Sequence, residues 1–432
     1  MRPNSIWTTW IQGVVLVGLL PSLCCAQQLS DKSQPLTLNQ TIREAVENNL
    51  ELIAQRFNVP IAQAQVITAS LRPNPVLSLS YEYLYFTPAS TTGDIFSNPT
   101  EYSARTDFIF ERGGKRQRRM DVAYAARSVA ELQVIDAVRL TVLSVQKAFV
   151  EVLHAKADLT LAQETLATFD EVVRINTSRV RNGDLAEVEL IRSEVARLQS
   201  ENTVRKAELE LQTARARLQI LLGRRREDPM VDATGEMRAE QLSVSLETLV
   251  EQAIAQRPDL LAQRKERIRS QADIRLQLAN AKVDYTFGSE YNKQKVSGRS
   301  NSVAFYFFSA LPVFNRNQGE IERARQQEVR SEAQTRAVEA TIQNEVEIAY
   351  LTYNSSLVTV TRIEQSLVAK AKDVRQVAEF SYKRGQASFL ELLDAQRAYN
   401  ETMLAYNGAR ADLAQSLYTV DAAVGAPVTM ER

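Results

Sequence analysis

Residues Leu36–Leu52, LTLNQTIREAVENNLEL, return as Val244–Leu260, VSLETLVEQAIAQRPDL, 208 positions further along. The same offset carries Pro75–Tyr83 (PVLSLSYEY) onto Val283–Tyr291 (VDYTFGSEY). Phe110-Glu111-Arg112-Gly113 then meets Phe314-Asn315-Arg316-Asn317 at an offset of 204, and Asn182-Gly183 meets Arg384-Gly385 at 202. A shared order of elements with a drifting offset marks an internal duplication whose loops have changed length. The chain is therefore read as two halves of one object, 27–235 and 236–432, behind a leader at 1–26.

The leader has the layout of a secretory signal. Arg2 precedes an apolar stretch, Ile11–Leu20, then Pro21, and Cys24-Cys25-Ala26 supplies small side chains for cleavage before Gln27. Acylation of Cys24 or Cys25 is disfavoured, because Leu23 is bulky where a lipobox wants a small residue. No later stretch approaches the ~20 apolar residues of a membrane helix. Any entry of the mature chain into a membrane is therefore expected to use strands.

Composition removes several classes of function. Lys+Arg and Asp+Glu are both 52 among 432 residues, so no net charge draws the chain to nucleic acid. A single histidine, His154, reads as a surface or packing residue, and Met120, Met230, Met237, Met403 and Met430 form no ladder of soft ligands. Gly113-Gly114-Lys115 lacks the spacing of a phosphate loop and reads as the end of a strand and the start of a helix. No catalytic residues, no cofactor and no resident metal are expected.

Glycine and proline are absent from Lys115 to Asn182, from Asp184 to Leu222, and again from Glu320 to Arg384. These runs are rich in Ala, Glu, Gln, Arg and Leu, which favour helix. An unbroken helix over the first run would be on the order of 100 Å long at 1.5 Å per residue. Val138, Val142, Val145, Phe149, Val152 and Leu159 fall at coiled-coil steps along it. With turns at Gly183 and Gly385, the chain predicts two long helical hairpins.

Between the helices lie two aromatic islands that hold more than half of the chain's Phe, Tyr and Trp. Strands are expected at about 76–86, 103–111, 283–291 and 302–312, their lengths suited to tilted membrane-spanning strands. Leu77, Leu79, Tyr81, Tyr83 and Tyr85 alternate with Ser78, Ser80, Glu82 and Leu84, whereas the second strand of each island alternates less strictly. Tyr81, Tyr83, Tyr85, Tyr285 and Phe287 are the expected lipid-facing aromatics. Four strands cannot close a barrel, and open edges are not tolerated in lipid, so the strands would be shared in an oligomer. The competing reading is a periplasmic coiled-coil scaffold with two soluble β-hairpins and no pore.

A twofold repeat of helix, β-hairpin and long helical hairpin resembles the TolC-like outer-membrane efflux proteins over almost everything after the leader. Arg72-Pro73-Asn74-Pro75, Glu111-Arg112-Gly113-Gly114-Lys115-Arg116 and Leu311-Pro312-Val313-Phe314-Asn315-Arg316-Asn317-Gln318-Gly319-Glu320 look like the CzcC branch, which serves heavy-metal resistance-nodulation-division pumps. The resemblance implies a homotrimer in a Gram-negative outer membrane. Each protomer would give four strands to one shared 12-stranded barrel, with the helices forming a periplasmic α-barrel. It also implies two partners, a periplasmic adaptor (membrane fusion protein) and an inner-membrane pump. The duct would be passive and its cargo divalent cations such as cobalt, zinc or cadmium; ducts for drug efflux or type I secretion share the pattern.

For residues, the resemblance implies adaptor contacts at the hairpin tips, here Arg181, Asn182, Gly183, Lys383, Arg384, Gly385 and Ser388. It further implies that two acidic positions after the second turn, Glu391 and Asp394, narrow the periplasmic entrance. Their spacing puts both on one helical face. The first tip has Glu189 and Arg192 at the corresponding places. The family's arginine two residues beyond the second-tip glycine is replaced here by Ala387.

Overall fold

The computed structural model of the chain describes residues 35–82, 101–294 and 300–425. The leader with Cys24 and Cys25, and the strand positions Tyr83 and Tyr85, lie outside the described residues. The first half runs α1 (Leu38–Asn48), α2 (Leu50–Arg56), α3 (Asn58–Ser70), β1 (Val76–Glu82), β2 (Glu101–Phe110), α4 (Lys115–Arg181) and α5 (Glu187–Leu221). The second half runs α6 (Leu246–Gln256), α7 (Pro258–Asn280), β3 (Tyr285–Gln294), β4 (Ser300–Ser309), α8 (Gln318–Ile363), α9 (Ala369–Lys383) and α10 (Phe389–Val424).

The duplication is visible at individual atoms. Thr37 and Ser245, 208 apart, each accept a backbone N–H as the N-cap of α1 and α6. Asn49 and Arg257, at the same offset, end those helices with φ −60 and ψ 119 or 123. Each then reaches across to the end of the long helix that returns from the hairpin tip of its own half. Asn49 Nδ2 donates to the Leu221 carbonyl at 2.8 Å, and Arg257 Nη1 donates to the Ala423 carbonyl at 3.3 Å. Those long helices end on Gly223 and Gly425, whose φ of 70° and 76° disfavour any residue with a Cβ. A Cβ on Gly223 would also be driven into the Asn48 carbonyl. Gly223→Ala is therefore expected to cost roughly 3 kcal/mol from left-handed strain plus overpacking. It would be read as a lower melting temperature of the purified protein and a lower yield in the membrane.

The continuous helix expected from Lys115 is present as α4, 67 residues without a break. Val142, Val145, Phe149 and Val152 are buried against α1 and α5 in one cluster with Ile42, Leu211 and Leu218, and Val138 and Leu159 border it. The second long run is helical as expected, but its regular helix stops at Ile363. Glu364–Val368 winds as one π-helical turn before α9 resumes. No glycine or proline marks that place, so the wider turn has no signal in propensity. The Tyr406 hydroxyl of α10 donates to Glu364 there at 3.3 Å.

The strands form one antiparallel sheet in the order β1-β2-β3-β4. Relative to expectation β2, β3 and β4 are displaced toward the hairpin ends, since Glu101 pairs with Gln294 and Asn292 with Ser302 beyond the aromatic runs. β3 begins only at Tyr285 because Asp284 turns to accept from the Arg112 N–H at 2.9 Å and from Lys115 Nζ at 2.8 Å. Directly paired residues share a face. One face carries Leu77, Leu79, Tyr81, Tyr102, Ala104, Phe108, Phe110, Tyr285, Phe287, Tyr291, Val303, Phe305 and Phe307. The other carries Ser80, Glu82, Glu101, Ser103, Arg105, Asp107, Glu290 and Asn292. The later strands alternate less cleanly than β1, because Thr106, Ser289, Lys293, Asn301 and Ser309 interrupt their apolar side. Ile109, Tyr306 and Phe308 in turn sit on the polar face, where Arg105 lies 4.5 and 4.6 Å from the ring centroids of Tyr306 and Phe308.

The helices stand in a fixed lateral order. α4 packs on α3, α5, α7 and α10; α8 packs on α6, α7 and α10; α9 packs on α10. One lateral edge of the protomer is therefore β1, α3 and α5, and the opposite edge is β4, α8 and α9. Halfway down, the segment between the repeats is tied to the long helices by Asp232, which accepts from Lys156 Nζ at 2.7 Å and Arg215 Nη2 at 2.8 Å. Burial works against the Asp232 carboxylate, yet the two cations hold its pKa below the usual carboxylate range. A depressed carboxylate stabilises the fold above its unfolded pKa near 4 and loses that contribution as pH falls below it. Asp232→Asn is expected to lower stability at neutral pH and to flatten its decline below about pH 4, measured by thermal melts across pH.

Candidate functional site: the hairpin tips

Both tips are built by the same capping geometry. At the first, the Asp184 N–H reaches the Arg179 carbonyl at 2.8 Å and the Gly183 N–H reaches the Val180 carbonyl at 3.0 Å. At the second, Gln386 reaches Ser381 at 2.9 Å and Gly385 reaches Tyr382 at 3.0 Å. Gly183 and Gly385 take φ of 82° and 72°, which is why each long run stops at its single glycine. Around these turns Arg181 and Asn182 form the exposed first rim. Lys383 is paired with Glu379 at 2.7 Å, and Arg384 lies over Phe380 at 4.3 Å, so the second rim is cationic but partly engaged.

The tips differ in how the next helix starts. Ser388 caps α10 in a reciprocal box: its Oγ accepts the Glu391 N–H at 3.3 Å, and Glu391 Oε2 accepts the Ser388 N–H at 3.1 Å. In the first half the N-cap is Ala186, with no side chain to offer. Glu189, freed from a capping role, instead accepts from Arg192 Nη1 at 2.8 Å. Arg192 is thus neutralised within its own helix and makes no bond to the second hairpin among the described residues. Asp394, which stands at the place of Arg192, makes no hydrogen bond or ion pair among the described residues. Glu391 and Asp394 border one open groove of about 730 Å³, shared with Asp373, Val377 and Ala387. Of the four acidic and basic positions expected at the entrance, Asp394 is the carboxylate left available to a cation.

The two tips are joined by residues that sequence reasoning does not single out. The Tyr382 hydroxyl donates to Asn176 Oδ1 at 2.6 Å, and Arg179 Nη2 donates to the carbonyls of Lys383 and Tyr382 at 2.8 and 3.3 Å. Arg179 so neutralises the exposed carbonyl end of α9, where the helix dipole is negative. Burial raises the pKa of the Tyr382 hydroxyl and keeps it a donor. Phe169, Val172, Ala196, Phe389 and Leu392 close over this contact as a small apolar cluster. A signal was present: Phe169, Val172 and Asn176 follow coiled-coil steps, so Asn176 is a polar residue at a buried position. Above the tips the seam between α4 and α10 is also polar. Asn407 donates to Asp158 at 2.9 Å, and Gln396 donates to Thr165 at 3.3 Å and Asn400 at 2.9 Å. His154 belongs to this seam, 3.3 Å from Asp158, in a packing role.

Of the aromatics expected to face lipid, Tyr81, Tyr285 and Phe287 lie together on the apolar face of the sheet. Among the described residues no group of His, Cys, Asp and Glu could hold a metal ion, and no helix is long and apolar enough to cross a membrane.

Comparison with known proteins extends these observations. The profile of a family described as outer membrane efflux protein matches residues 41–224 and 249–426, one match per repeat. The cobalt-zinc-cadmium resistance protein CzcC of Cupriavidus metallidurans is 23% identical over 423 residues, covering 96% of this chain and 98% of that protein. The cation efflux system protein CusC of Escherichia coli is 26% identical over 405 residues, covering 88% of this chain and 84% of that protein. A solved structure of CusC shares the fold with a TM-score of 0.74 at 20% identity, covering 90% of this chain and 92% of the other.

Proposed function

Because the chain belongs to the outer membrane efflux protein family, we propose that it is the outer-membrane exit duct of a tripartite efflux pump and that divalent metal cations are its cargo. The observation that carries the duct is the sheet. It has one apolar and one polar face, no helix covering the apolar face among the described residues, and two free edges, β1 and β4. In lipid those edges must be paired. β1 and β4 run in opposite directions, so β4 of one protomer meets β1 of the next as a further antiparallel pair. Three copies close a barrel of twelve strands, wide enough for an aqueous path.

The helical edges favour the same assembly. Val188, Ile191, Val195 and Leu198 are exposed on α5 at steps of three and four, and Ile348, Leu351 and Val358 on α8 with Val374 and Val377 on α9 are exposed on the opposite edge. Unpartnered coiled-coil stripes on opposite sides suit a head-to-tail ring. Leu198→Glu and Val377→Glu are each expected to abolish an SDS-resistant trimer, seen on unheated gels of outer-membrane fractions. The halves 27–235 and 236–432 each contribute one hairpin tip. The cationic rim at Arg181, Asn182, Gly183, Lys383, Arg384, Gly385 and Ser388 is the surface offered to a periplasmic adaptor, through which an inner-membrane pump supplies the energy.

Support for a metal cargo comes from the relatives named for cobalt, zinc and cadmium resistance and for cation efflux, and from Asp394 left unpaired at the entrance. With no metal-ligating cluster among the described residues, cation choice rests upstream and the duct supplies a negative field. The test is cell-associated cobalt, zinc, cadmium, nickel and copper in a deletion strain against its complemented parent, with growth on a drug panel alongside. Accumulation of one or two metals without drug sensitivity is the expected result. Drug hypersensitivity with unchanged metals would keep the duct and discard the metal cargo.

A further inference from the structure

The apolar face of the sheet carries a single charged side chain among its described residues, Lys293 on β3. It pairs in register with Tyr102 and Asn301, and Tyr102 in turn pairs with Tyr81. The Tyr81 and Tyr102 rings meet edge-on with centroids 4.8 Å apart. Lys293 is exposed and makes no ion pair among the described residues, although the opposite face of the same sheet holds Glu82, Glu101, Asp107 and Glu290. Beside it the sheet surface is hollowed into a cleft of about 410 Å³ bordered by Leu79, Tyr102, Ala104 and Tyr291.

Depth in the membrane gives this cation a meaning. The strand ends joined to the helices, near Phe110, Tyr285 and Ser309, are the periplasmic ends. From Tyr285 to Lys293 a strand rising ~3.3 Å per residue at a tilt near 40° climbs about 20 Å. The apolar band of such barrels is ~25 Å tall and bounded by aromatic girdles, so Lys293 and its tyrosines stand about 5 Å below its outer edge, a distance the lysine stem spans to reach the headgroups. An ammonium on a lipid-facing wall is costly in hydrocarbon and reaches for the interface. The groups there that complement it are phosphates, and the apolar cleft below it suits an acyl chain.

We propose that Lys293 and the cleft walled by Leu79, Tyr102, Ala104 and Tyr291 bind a phosphorylated lipid of the outer leaflet, the phosphate on the ammonium and an acyl chain in the cleft. This rests on the reading of the sheet as part of an outer-membrane barrel. The test compares the intact wild-type trimer with Lys293→Gln and Lys293→Arg, each in neutral detergent. Retention of diphosphorylated lipid A and of its dephosphorylated form is counted by native mass spectrometry, with inorganic phosphate as a competitor.

The expected result is about fivefold weaker retention of the phosphorylated lipid by Lys293→Gln, the weight of one cation at a membrane surface. Lys293→Arg should retain it, and the dephosphorylated lipid should be held no better by wild type than by Lys293→Gln. Equal retention by wild type and Lys293→Gln, or displacement by inorganic phosphate at millimolar concentration, would overturn the proposal. SDS-resistant trimers and ion conductance in all three proteins keep that outcome separate from the duct itself. Their loss already in wild type would instead count against the barrel reading on which the lipid site depends.

Discussion

Asp394→Asn is expected to weaken block of the reconstituted duct by divalent cations about tenfold in ~0.1 M salt, measured as single-channel current against cation concentration from the periplasmic side. A divalent cation ~8 Å from one carboxylate gains roughly 1 kcal/mol even in water. Threefold symmetry would place three such groups around the entrance, about 3 kcal/mol together, which screening over ~8 Å in ~0.1 M salt reduces to about the 1.4 kcal/mol of a tenfold change. Glu391 gives the contrast. Its Oε2 is turned to the Ser388 N–H at 3.1 Å, where it caps α10. Glutamine also fits this position of a capping box, so Glu391→Gln removes the charge without the cap. It should change the block less than Asp394→Asn; an equal or larger effect would assign the entrance field to Glu391 instead.

Breaking the contact between the two tips should raise conductance. Arg179 donates to two carbonyls at the end of α9, and hydrogen bonds to a charged group are worth ~1.5–3 kcal/mol. Arg179→Ala is therefore expected to increase the open fraction about tenfold, seen as more frequent or larger openings in planar bilayers. Tyr382→Phe removes one buried bond of 2.6 Å to Asn176 and should act in the same direction more weakly. Because Asn176 and Tyr382 share that bond, Asn176→Ala combined with Tyr382→Phe should open the duct no further than the stronger single substitution. Additive effects would mean that the two residues act separately. Arg192→Ala serves as a control, since its partner Glu189 lies in its own helix and no bond between hairpins is lost.

The positions hardest to read are those whose role depends on a partner distant in sequence. Asn176 and Tyr382 are 206 residues apart, and neither side chain advertises the other. Glu391 has the pattern of a free acid, because charge spacing does not tell an entrance carboxylate from a capping one; only Ser388 three residues earlier hints at it. Arg192 stands where the second half has Asp394, yet Glu189 of its own helix holds it. The strand limits shift for a related reason. Backbone pairing continues past the aromatic residues because the ladder bonds use main-chain groups whatever the side chains: Glu101, Asn292 and Gln294 fall on the polar face, Lys293 and Asn301 on the other.

The duplication, the two long helical hairpins, their glycine turns and the presence of four strands were all legible along the chain. Each follows from local causes: helix propensity without Gly or Pro, left-handed turns that only glycine enters cheaply, and alternation with period two. Three-dimensional packing was needed for the strand order, the gathering of β1, α3 and α5 on one edge and β4, α8 and α9 on the other, and the placing of Lys293 on the apolar face. It was needed too for the bond from Arg179 to the end of α9 and for which of the four residues expected at the entrance stays unpaired among the described residues. These depend on which surfaces meet, and residues that meet across 200 positions of chain leave no periodicity for a local reading to find.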